Sequence, residues 1–106
     1  MSAAHTLFWL LVAHALCDFP LQNDYLARAK NPWGGHAEWP WCLAAHSVIQ
    51  GGGVALVTGS VSLGLAEAVC HAAIDTLKCA GRISYSSDQL LHVSCKLAWV
   101  AAVVML

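Results

Sequence analysis

This sequence predicts an all-α fold: an integral membrane bundle of about four transmembrane helices, forming a single domain over residues 1–106. Three observations predict it. Apolar residues make up 58% of the chain and charged residues only 10%, well below the roughly 25% charge of soluble domains. The apolar residues gather in four stretches, each close to the roughly 17–25 residues that span a bilayer. Between them there is no period-two alternation of the kind a barrel needs. Five Lys+Arg and six Asp+Glu in 106 residues could hardly coat a small soluble domain, whose surface is large for its volume. The net charge of −1 excludes a nucleic-acid footprint.

The first stretch runs from about Ala3 to Asp18 and stops at Pro20. It has no basic leader, so it reads as a retained span rather than a cleaved signal. The second runs from Trp41 to Thr58, with Pro40 suited to a first turn. Gly51, Gly52 and Gly53 inside it would break a helix in water but allow close helix approach in a membrane. The third runs from Val61 to Cys79, with Gly81 as its stop signal. The fourth runs from Gln89 to Leu106, with Ser86 or Ser87 as its cap.

Thr58-Gly59-Ser60 allows only a tight turn, so spans two and three are antiparallel neighbours, as are three and four. The long loop from Leu21 to Trp39 belongs at the interface, with Trp33, Trp39 and Trp41 as belt residues. Arg28, Lys30, Lys78 and Arg82 all fall on one side, and Lys96 is expected to snorkel there too. The positive-inside rule puts that side in the cytoplasm, within the inner membrane, and both termini outside.

On this frame His14, Asp18, His46, His71, Asp75, Asp88 and His92 all converge on the cytoplasmic side. His14–Asp18, His71–Asp75 and Asp88–His92 are each four apart, so each pair shares a helix face. One such pair alone is an ordinary hydrogen bond. Three, joined by His46, predict a divalent metal site, built as helix bundles build them, from inward side chains one turn apart. Mixed N/O ligation fits zinc, manganese or iron without choosing among them. Seven groups exceed one tetrahedral site; they suffice for two metals, or for one metal with at least one of Asp18, Asp75 and Asp88 left to act as a catalytic base or to orient a histidine. Glu67 lies one turn deeper on the third span, as a base or a partner for another helix. The five cysteines include no Cys-x-x-Cys pair and read as small apolar filler. His5 and His36 read as bystanders.

The residues also carry a resemblance. His14-Ala-Leu-Cys-Asp18-Phe19-Pro-Leu-Gln22-Asn-Asp24 with Lys30, His71-Ala-Ala-Ile74-Asp75-Thr-Leu-Lys78 and Asp88-Gln89-Leu-Leu-His92 resemble the motifs of a bacterial and phage membrane family, domain of unknown function 3307. His46 fits a histidine of its second span. The resemblance implies a helical membrane protein. A more distant one, to membrane-bound metal-dependent hydrolases, is analogy. The leading expectation is a metal-dependent hydrolase acting by metal-activated water, with a membrane lipid phosphate as substrate. Gln22, Asp24, Lys30, Lys78 and Gln89 are the candidate substrate-binding residues at the mouth. The alternatives are a non-enzymatic phage or bacterial factor that binds a partner or excludes superinfection, with a structural His/Asp network, and a proton or ion conductor. The outer halves of the spans carry few ionisable groups, which argues against conduction.

Overall fold

The computed structural model describes residues 1–105; the expected end of the fourth span at Leu106 lies outside the described residues. Among them there are five helices and no strand: α1 (Ala3–Asp18), α2 (Asp24–Ala29), α3 (Trp39–Thr58), α4 (Val61–Cys79) and α5 (Tyr85–Met105).

The helix ends follow from local chemistry. Ser2 caps α1, its hydroxyl accepting from the His5 amide at 3.1 Å. Asn23 caps α2 through the Leu26 amide at 2.8 Å, and Ser60 caps α4 through Leu63 at 3.2 Å. Pro40 sits in the first turn of α3, where its missing N–H is harmless. Gly59, at φ 71°, and Gly81, at φ 74°, take the left-handed conformation that closes α3 and α4. The cap of α5 differs from expectation. Ser84, not Ser86 or Ser87, holds the turn: its hydroxyl accepts from the Ser87 amide at 3.1 Å and its carbonyl from Asp88 at 2.9 Å. The helix therefore starts at Tyr85, before Gln89.

The long loop is also more ordered than its composition implied. It folds into α2, with Asp24 in its first turn and Arg28 in its last, matching the helix dipole. The Tyr25 hydroxyl donates to Glu38 Oε1 at 2.7 Å, tying α2 to the foot of α3. That bond holds the exposed Glu38 carboxyl below its ordinary pKa and pushes the Tyr25 phenol up.

Four long helices form a closed ring in which α1 packs on α3 and α5, and α4 packs on α3 and α5. The tightest crossing lies between Gly51 of α3 and Gly64 of α4. A Cβ on Gly64 would lie 2.7 Å from the Gly51 carbonyl oxygen, so only glycine fits.

The distribution of polarity is the reverse of a water-soluble bundle. Among the described residues, the interior holds Thr6, His14, Lys30, His46, Ser47, Gln50, Glu67, His71, Asp75, Asp88, His92 and Lys96, against only Leu10, Cys17, Ala29, Cys42, Val54 and Ile74 as apolar core. The exterior exposes large apolar side chains on every long helix, among them Phe8, Leu56, Val69 and Leu97. Soluble monomers rarely expose apolar patches on that scale. Two helices, α3 and α5, are long and apolar enough to cross a membrane; α1 is a shorter apolar helix.

Candidate metal centre

The site lies at one end of the bundle, where α1 ends, α3 and α5 begin, and the last turns of α4 run past them. All seven predicted residues meet there. His46 and His71 approach Asp18 Oδ1 through Nε2 at 3.3 and 3.8 Å, and Asp75 Oδ2 at 3.7 and 3.4 Å. His92 Nε2 stands 3.5 Å from Asp75 Oδ1 and 3.3 Å from Asp88 Oδ1. His14 Nε2 is 3.5 Å from Asp18 Oδ2. His46, His71 and His92 are completely buried.

These separations are informative. Hydrogen bonds between nitrogen and oxygen run at about 2.7–3.2 Å. Two ligands each about 2.1 Å from a tetrahedral ion lie about 3.4 Å apart. The imidazole–carboxylate distances cluster at the second value. In keeping with this, both ring nitrogens of His46, His71 and His92 are buried without a hydrogen-bond partner. Leaving such groups unpaired in a low-dielectric interior is costly. The closest ligand sets are Asp18, His46 and His71, and His71, Asp75 and His92, each with its ligand atoms within 4.8 Å of one another. His71 belongs to both.

Amide side chains fix the carboxylates. Gln89 Nε2 donates to Asp18 Oδ2 and to Asp88 Oδ2, each at 3.1 Å. Carboxylates only accept, so the amide can face just one way, and its oxygen meets His14 Nε2 at 3.1 Å. An amide oxygen also only accepts, so His14 Nε2 carries a proton. His14 stands beside the two ligand sets, neither of which includes it. Gln50, one turn along α3 from His46, donates to Asp18 Oδ1 at 2.7 Å. Sequence reasoning missed Gln50, although its four-residue spacing from His46 was a usable signal.

The lysines depart most from expectation. Lys96 does not snorkel: it is buried and paired with the buried Glu67, directly below the histidines. Its position four residues after His92 already placed it on the inward face. Lys30 does not stand at an open mouth; it is buried and donates to Asp75 Oδ2 at 2.7 Å. Lys78 lies over the Tyr85 ring, 5.0 Å from its centroid. Asp24 is exposed on α2, away from the cluster, and Gln22 donates to the Asp18 carbonyl at 3.0 Å. His5 packs near Trp9, and His36 lies 3.8 Å from Glu38, both apart from the cluster. The cysteines are all free, and Cys17 donates weakly to the Ile49 carbonyl at 3.7 Å.

A family model described as protein of unknown function (DUF3307) matches residues 6–106. The chain belongs to that family. No curated protein and no solved structure matches it, so the more distant likeness to metal-dependent hydrolases gains no support.

The charges of the centre constrain what it can hold. Asp18, Asp75, Asp88 and Glu67 face Lys30 and Lys96, four carboxylates against two ammonium groups, with four histidines among them. Buried charges persist only when paired, and here the balance falls to protonated histidines or to a bound cation.

Proposed function

We propose that this DUF3307 member is a four-span membrane protein whose His/Asp centre binds one divalent ion and hydrolyses a phosphate ester of a membrane lipid. The observation that carries the reading is the convergence of carboxylates and imidazole Nε2 atoms at ligand–ligand rather than hydrogen-bond separations. The apolar exterior around a polar interior supports the membrane setting. At about 1.5 Å per residue, α3 and α5 reach roughly the 30 Å of a hydrocarbon core.

Asp18, His46, His71, Asp75 and His92 are the proposed ligands. The ion would supply Lewis-acid activation of water. In ester hydrolysis the water oxygen forms the new P–O bond, a carboxylate takes its proton, and the ester oxygen leaves with a proton returned to it. Asp88 suits the proton transfer. It lies outside both ligand sets, and its Oδ1 is buried without a hydrogen-bond partner while Gln89 holds Oδ2. Asp88→Asn should keep the ion and the fold but lose hydrolysis of phosphorylated lipids. Joint loss of ion and stability in this variant would instead make Asp88 a structural ligand.

The proposed orientation, in the inner membrane with the Leu21–Trp39 loop in the cytoplasm, rests on the basic residues of that loop and of the α4–α5 turn. A cysteine at the exposed Ala37, in a background without the native cysteines, should resist an impermeant reagent in intact cells. Efficient labelling from outside would reverse the orientation.

A second reading has its own observation. The three core histidines are fully buried and Lys30 already occupies Asp75, an enclosure that suits a structural site in a non-enzymatic membrane protein. Such a protein would bind the ion as tightly and hydrolyse nothing.

A further inference from the structure

Two lysines are buried beside the carboxylates, and the fold holds them differently. Lys96 stands within α5, paired with Glu67 of α4, and cannot leave without moving a bundle helix. Lys30 stands at the end of α2, a helix of six residues in which Asp24, Tyr25, Ala27 and Arg28 are exposed and Ala29 is buried. This helix packs on α3, and the exposed Tyr25–Glu38 bond ties it to the start of α3. Among the described residues, the Lys30–Asp75 pair is the ion pair that joins this segment to α4.

That pair competes with a ligand set. Lys30 Nζ donates to Asp75 Oδ2 at 2.7 Å, and the same oxygen faces His71 and His46 Nε2 at 3.4 and 3.7 Å. An ion bound through Oδ2 sits about 2.1 Å from it. An ammonium and a divalent ion on one oxygen then lie within about 5 Å of each other, where a low-dielectric interior makes their repulsion severe. Asp75 keeps only one of them at close range. Lys30 is the one with an exit, because its helix is short and lies at the surface, and its long stem can carry the ammonium to water.

We propose that Lys30 is an exchangeable counterion: it pairs with Asp75 and pins α2 to the bundle in the metal-free protein, and a divalent ion binding at Asp75 releases it and frees α2. This rests on the metal-centre reading and specifies how the centre is filled and opened. Without metal, the ammonium offsets the desolvated carboxylate, as a buried charge requires. With metal, the ion takes over that role, the Lys30 end of α2 lifts about the Tyr25–Glu38 tie, and the end of the bundle opens to substrate. A lysine that only braced Asp75 would stay in place, and α2 would become more ordered together with the ligands.

Hydrogen–deuterium exchange on the full chain in detergent, with and without zinc or manganese, separates the two, with metal content measured on the same samples. Metal should slow exchange in the ligand-bearing turns of α1, α3, α4 and α5. The amides of Ala27 and Lys30, bonded to the Asn23 and Leu26 carbonyls within α2, should instead exchange severalfold faster. Lys30→Met should show that fast exchange without metal and no further rise with it. It should also bind the ion about tenfold more tightly, the lower end of the couplings between close charge pairs. Asn23→Ala, which removes the α2 cap and touches no ligand, serves if Lys30→Met fails to fold: it weakens the pinned state alone and should also tighten ion binding. Slower or unchanged exchange of α2 in metal-loaded wild type, or weaker ion binding by Lys30→Met, would overturn the proposal and leave the metal centre standing. Protein that takes up neither metal would overturn both.

Discussion

The rings of His71 and His92 stack across the α4–α5 interface with centroids 4.1 Å apart and planes 23° from parallel. The contact is one rung of a ladder. One turn inward Glu67 faces Lys96, and one turn outward Asp75 approaches the His92–Asp88 turn. Each step of four along α4 is matched by a reverse step of four along α5, as antiparallel helices with inward stripes require. The register of the two helices and the assembly of the centre are thus the same event.

The Glu67–Lys96 rung should be the most sensitive to single substitution. Lys96→Met leaves the Glu67 carboxylate buried and uncompensated, which should lower stability by about 3–5 kcal/mol. Adding Glu67→Leu removes the orphaned charge and should recover most of the loss. Unfolding by denaturant in detergent measures both. A Lys96→Met variant as stable as wild type would show that the pair is not buried as described.

Gln89 should act at a distance from the ion. Its amide alone links His14, Asp18 and Asp88. Gln89→Leu preserves size but removes all three bonds, and loss of such supporting contacts typically weakens metal binding by about 10–100-fold. Metal titration followed by calorimetry, with circular dichroism to verify the helices, tests this. Unchanged affinity would mean that the carboxylates need no such bracing.

Much of this was legible in the sequence because two periodicities coincide. The apolar stretches placed α1, α3 and α4 nearly to the residue, and the four-residue His–Asp spacings gathered the seven polar residues at one end. The failures share a cause as well. Lys96 has the length of a chain that reaches for water, but its four-residue offset from His92 puts it inside, opposite Glu67. Lys30 lies in a segment whose sequence reads as an interfacial loop; only the fold of α2, started by the Asn23 cap, carries it back onto Asp75. Gln50 carried no charge to draw notice. Long-range pairings such as Lys30 with Asp75 depend on how helices dock, which no local pattern encodes.

Whether the buried polar core holds a divalent ion is decided by elemental analysis of purified, detergent-solubilised protein. The expected value is about one ion per chain, because the two ligand sets share His71. His71→Ala should lose most of it, because His71 belongs to both ligand sets. Wild-type protein that remains folded yet carries no divalent metal after exposure to zinc, manganese and iron, or a folded His71→Ala variant that retains full occupancy, would contradict it.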